Sequence, residues 1–233
     1  MHLHHQHVEP HLKSSDFLRD VIIGMSDGLT VPFALAAGLS GAVDKSSIIV
    51  IAGIAEIAAG SIAMGLGGYL SGKTEQAHYQ SEVKREHHEV ENMRQLEIEG
   101  TRQFFANIGL SKEIQEKATE EIIKDKARWV DFMMKYELGQ EKPNPKRATK
   151  SALNIGLSYI AGGIIPLSPY FFIADSEEAL VYSVIATLIC LFIFGYFKSR
   201  ITGVNALWGA IRVTLIGALA AAAAFGVAKL FED

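Results

Sequence analysis

Five apolar stretches, each long enough to cross a bilayer, constrain this chain more than any other feature. They run roughly 17–39, 47–70, 151–173, 179–197 and 204–230, and a membrane-crossing helix takes about 20 residues. The first is too long for a cleavable signal peptide and has no cleavage-site pattern. Between the second and third lies a segment of opposite character. Residues 72–147 hold 14 Lys and Arg and 15 Asp and Glu, 29 of the chain's 48 charged residues. The expected fold is therefore an all-α membrane protein of five transmembrane helices with a charged helical insert. Its parts are an N-terminal tail (1–16), helices 1 and 2 (17–71), the insert (72–147) and helices 3 to 5 (148–233).

Composition narrows the function classes. A mean hydropathy of +0.19 is unusual for a soluble domain of this size and excludes intrinsic disorder. The net charge of −4 argues against a basic nucleic-acid-binding domain. Cys190 is the single cysteine, so there is no disulfide framework and no cysteine-based zinc site. His2, His4, His5, His7 and His11 precede every structural signal and read as a tail.

Loop charge sets an orientation. Lys13 and Arg19 flank the start of the first span, the insert is rich in both types, and Lys198 and Arg200 separate the fourth and fifth spans. The opposite side carries only Lys45 and Lys229. The N-terminus and residues 72–147 should be cytosolic, and the C-terminus should lie across the membrane. Within the insert, Lys73–Met93 lacks Pro and Gly, Gly109 with Ser111 marks a stop and restart, and "GQEKPNPKR" ends the helical run. Three helices are expected, at about 72–93, 95–108 and 111–138. So charged a unit should have little core of its own and lean on a second copy or on bound ions.

Two carboxylates interrupt the spans: Asp27 in the first and Glu56 in the second. An intramembrane Asp costs roughly 2.5–3.5 kcal/mol on insertion scales, so such residues usually mark a transport pathway. Gly28 and Pro32 follow Asp27, and such residues can open the backbone locally. Met64, eight residues after Glu56, lies about 80° round and about 12 Å further along the helix. Arg212 is the charge in the fifth span, suited to pairing or to snorkelling. In the insert, Glu75, Glu82, Glu86 and Glu89 fall at +7, +4 and +3, one helical stripe of like charge. Glu97 follows on the next helix, and Met133 and Glu137 stand at i and i+4 on the third, with Met134 beside them. Carboxylates alone suit Mg²⁺ or Ca²⁺; a thioether among them tilts the set toward a softer ion such as Fe²⁺.

These residues sit in longer runs: "VIIGMSDGLTVPFALAAGLSGA", "AGIAEIAAGSIAMGLGGYL", "VKREHHEV", "WVDFMMKYELG…EKPNPKRA", "GGIIPLSPYFF" and "LIGALAAAAAF". Through them the chain resembles the vacuolar iron transporter family, close to its plant members. The resemblance implies a homodimer with five spans per chain and a cytosolic three-helix metal-binding domain. It implies Fe²⁺ movement from cytosol into the vacuole in exchange for protons, in the vacuolar membrane. It implies no prosthetic group, with Fe²⁺ as cargo and Zn²⁺, Mn²⁺ or Co²⁺ as substitutes. By motif position Asp27, Glu56 and Met64 match the family's translocation residues, and Glu86, Glu89, Glu97, Met133 and Glu137 its cytosolic metal ligands. Two positions depart from the pattern. Gly100 stands where the family commonly has a glutamate, leaving Glu99 as a substitute, and Arg94 where it commonly has proline.

Three alternatives compete with Fe²⁺ transport. Ligand type does not separate Fe²⁺ from Mn²⁺ or Zn²⁺. Glu75–His78 has the E-x-x-H spacing of carboxylate di-iron oxidases, which need a second such pair on a facing helix; His87 and His88 are preceded at −3 by Lys84 and Arg85 instead. The third is a metal-sensing membrane scaffold without transport. An enzyme is not expected.

Overall fold

The computed structural model describes residues 16–230; the histidine-bearing tail lies outside the described residues. Among those residues the order is α1 (Asp16–Ser40), α2 (Ser46–Asn92), α3 (Arg94–Asn107), α4 (Lys112–Ile122), α5 (Lys126–Phe132) and a π-turn (Met133–Glu137). Then follow α6 (Arg147–Leu167), a 3₁₀ turn (Ser168–Phe171), α7 (Ser176–Ile201) and α8 (Ala206–Lys229). The described residues are all-α, with five helices among them long and apolar enough to span a membrane: α1, α2, α6 with its 3₁₀ extension, α7 and α8. The chain divides into two compact units. One takes the chain up to Tyr69 and again from Thr149, and the other is Leu70–Ala148.

The first unit is assembled by small residues. Lipid tails give no hydrophobic incentive for apolar helices to associate, so close backbone packing takes over. On α1, Gly24 and Gly28 stand one turn apart. A Cβ on either would fall 2.2 Å from the Ile155 carbonyl oxygen or 2.3 Å from that of Tyr159, both on α6. Only glycine lets these backbones approach so closely. Residues 60, 65 and 68 of α2 are also glycines against α6, facing Tyr159, Ala152, and Ile155 with Ser151. They therefore serve packing within this chain. On the same helix, Gly67 faces open space and Ala55 and Ala59 are exposed.

On α7 a stripe at every fourth position (Ala179, Ser183, Thr187, Leu191, Gly195, Ser199) is buried, as helical periodicity requires of a packed face. Gly195 meets Ala210 of α8. The loops before α2 and α7 are tied by Ser46 N–H donating to the Ala174 carbonyl and Ser176 N–H to that of Asp44, each at 3.1 Å.

The second unit departs from expectation in two ways. The third expected helix is broken at residues 123–125, because the Asp125 side chain accepts from the N–H groups of Ala127 and Arg128 and starts α5 afresh. Such capping satisfies N–H groups that a helix end leaves orphaned. The unit also has an apolar core of its own, Val90, Trp129, Val130, Met133 and Met134, with Tyr79, Val83 and Ile98 packed on it. Trp129 is fully buried and its indole N–H donates to Thr101 Oγ1 at 2.8 Å. The charge count conceals this core, since one tryptophan and two methionines bury much area in few positions. Gly109, at φ +88°, ends α3 as expected, in the left-handed conformation that glycine adopts without penalty.

Candidate metal sites

In the insert, the face of α2 toward α3 carries Glu86 and Glu89, three residues apart and therefore on adjacent turns of one side. Glu97 comes from the first turn of α3. The sharp break at Met93 lets the two helices meet, and one carboxylate oxygen from each of Glu86, Glu89 and Glu97 lies within 4.8 Å of the others. Glu86 is buried. Burial first, then the charges of Glu89 and Glu97, push its carboxyl above the ordinary 4.5, with Glu137 adding and Arg85 opposing. Burial, Glu89 and Glu137 raise that of Glu97. Carboxylates forced together against repulsion suit a cation that neutralises them.

The remaining insert candidates fall in different surroundings. Met133 is fully buried in the apolar core with Trp129, whereas Glu137 is exposed. The π-turn, with Leu138 N–H bonded to the Met133 carbonyl at 3.0 Å, takes this pair out of the i, i+4 register of an α-helix. Glu75 and His78 are exposed, and Glu82 lies 2.6 Å from Arg85. Gly100 leaves room: a Cβ there would meet only Glu137 Oε1, at 3.9 Å. Glu99 does not fill that place, because it is held by both carboxylate oxygens to Arg102, at 2.7 and 2.6 Å. Arg94 opens α3 and stacks on the Trp129 ring at 5.1 Å, a cation–π contact that a proline there could not make.

Sequence reading passed over Arg85. Its guanidinium lies 3.5 Å from Glu86 and 3.7 Å from Glu89, besides Glu82. The signal was present as "KRE" within the stripe, but spacing alone did not show which way the side chain turns.

In the membrane unit, Asp27 is half-buried on α1 beside the Gly28 contact with α6. Glu56, half-buried on α2, accepts a hydrogen bond from the Tyr159 hydroxyl of α6. That hydroxyl also lies within electrostatic reach of Asp27. Of the two carboxylates, Glu56 is the one hydrogen-bonded to this α6 side chain. Met64 lies half-buried two turns further along α2.

Two further polar groups went unnoticed in the sequence. One is Tyr159. The other is Asp20, buried on α1, which accepts from Ser151 Oγ at 3.0 Å and Asn154 Nδ2 at 3.2 Å. Asp20 is seven residues before Asp27 and so on nearly the same helix face.

Comparison with known proteins places the chain among transporters. The profile of the VIT family matches residues 18–229. Vacuolar iron transporter 1 of Tulipa gesneriana is 51% identical, the match covering 98% of this chain and 92% of the relative. Its namesake in Oryza sativa subsp. japonica is 50% identical over 99% and 92%, and that of Arabidopsis thaliana 49% identical over 97% and 90%. These relatives are named as transporters, not enzymes.

Proposed function

Because this chain belongs to the VIT family, we propose that it carries Fe²⁺ from the cytosol into the vacuole in exchange for protons. The single structural observation behind a metal-ion reading is the meeting of Glu86, Glu89 and Glu97 from two helices in a chain with five helices of membrane-spanning length. The relatives' names supply iron and the vacuole.

In this reading the protein is a homodimer in the vacuolar membrane, with residues 72–147 cytosolic and the C-terminus lumenal, following the distribution of Lys and Arg. The insert carboxylates, with Met133 and Glu137, collect Fe²⁺ from a dilute pool. The ion then meets Met64, Glu56 and Asp27. A carboxylate binds either a metal ion or a proton, so an acidic lumen releases the ion and a neutral cytosol favours its capture. Zn²⁺, Mn²⁺ and Co²⁺ fit the same oxygen and sulfur donors, with affinities ordered by ion more than by site.

Uptake of ⁵⁵Fe²⁺ into proteoliposomes with acidic or neutral interiors tests the proposal. Acidification should accelerate uptake, and Asp27→Ala should abolish it while leaving insertion and dimerisation intact. Uptake indifferent to the proton gradient would remove the exchange, and normal flux by a correctly inserted Asp27→Ala protein would remove Asp27 from the pathway.

A further inference from the structure

We propose that Tyr159 is the positioning residue for Glu56, pinning one carboxylate oxygen so that the other is presented to the cation. The inference rests on the reading above that Glu56 meets the transported ion. Three observations carry it. The Tyr159 hydroxyl donates to Glu56 Oε1, while Oε2 is buried and has no hydrogen-bond partner among the described residues. A buried carboxylate oxygen without a donor is costly to keep, which fits an atom whose partner is the cargo.

Tyr159 is fixed at its ring by one helix and at its backbone by another. Residue 60, one turn beyond Glu56, is glycine, and a Cβ there would stand 2.4 Å from the Tyr159 hydroxyl oxygen and 2.5 Å from the ring carbon bearing it. On the other side, the Tyr159 carbonyl is packed so closely on Gly28 that a Cβ there would be 2.3 Å away. Two glycines, on α1 and α2, thus make the slot in which one α6 tyrosine reaches Glu56. A carboxylate pinned at one oxygen has less freedom to lose when it binds an ion through the other. Groups that orient a metal ligand in this way typically change metal affinity 10–100-fold when removed.

The experiment is concentration-dependent ⁵⁵Fe²⁺ uptake by the full chain in proteoliposomes. Tyr159→Phe removes one oxygen atom and keeps the ring's packing. The expected result is a half-saturating Fe²⁺ concentration raised about tenfold, with maximal flux within about twofold of the unaltered protein. Gly60→Ala, whose Cβ would displace the Tyr159 hydroxyl and ring together, should move half-saturation in the same direction. An unchanged half-saturation in Tyr159→Phe, or a loss of maximal flux alone, overturns the positioning role. Glu56→Gln separates the two levels: wild-type uptake by that variant removes Glu56 from the pathway and this inference with it. An inactive Glu56→Gln protein beside an unaffected Tyr159→Phe protein overturns only the positioning.

Discussion

Replacing Arg85 by glutamine should tighten divalent-cation binding to the insert. The Arg85 guanidinium lies 3.5 Å from Glu86 and 3.7 Å from Glu89. A dication held by those carboxylates would therefore sit roughly 5 Å from a fixed positive charge, and their repulsion in water at that separation is about 1.7 kcal/mol. The Arg85 side chain is 50% exposed, so solvent and salt screen the interaction, and about 1 kcal/mol is the working figure. That corresponds to about fivefold tighter binding. The metal-free state pushes the same way, because the arginine relieves repulsion among the carboxylates that a metal would otherwise relieve. Calorimetric titration of the purified full chain with Zn²⁺ measures the effect. Arg85→Lys, which keeps the charge, should bind within about twofold of the unaltered protein, and the gain in Arg85→Gln should shrink as salt rises. Unchanged or weaker binding by Arg85→Gln refutes the reasoning: the arginine would then be organising the carboxylates and not competing with the ion.

The double variant Glu86→Ala, Glu89→Ala should raise half-saturating Fe²⁺ and retain much of the maximal flux, while Asp27→Ala loses flux at every concentration. Zero flux in both at high metal would make the insert an obligatory part of the conduction cycle. Trp129→Ala should cost the insert about 3–5 kcal/mol, read as faster hydrogen exchange across residues 70–148, while Trp129→Phe should cost about 1 kcal/mol for the lost bond to Thr101. For pH the sign follows from the raised carboxyls of Glu86 and Glu97. The folded insert holds protons that the unfolded chain has released. Its metal-free stability therefore falls as pH rises from about 4.5 through the raised folded values. Metal affinity changes oppositely, weakening as pH falls through that window, because protons compete for the ligands. Hydrogen exchange with chelator and with Zn²⁺, across pH, should show opposite slopes; parallel slopes would count against a shared site.

The sequence by itself determined what is local. A run of about 20 apolar residues must be helical in a membrane whatever surrounds it, so α1, α6, α7 and α8 begin and end within a few residues of expectation. Asp27 and Glu56 stand out for the same reason, since their cost depends only on lying in a span. The stripe from Glu75 to Glu89 is legible because 3.6-residue periodicity belongs to one helix.

Periodicity says nothing about which members of a stripe meet another helix. Tertiary structure decided that Glu86 and Glu89 join Glu97, that Glu82 turns to Arg85, and that Glu75 stays exposed. It also decided that Glu99 is taken by Arg102 and that Met133 enters the core around Trp129. Tyr159 lies 103 residues from Glu56 and carries no sequence signal of the contact. The meeting exists because glycines at 28 and 60 remove the two Cβ atoms that would otherwise hold α6 away. Helix formation is an interaction between near neighbours in the chain; convergence of side chains depends on how closely separate helices approach, and that is set by atoms missing from the helix surfaces as much as by those present.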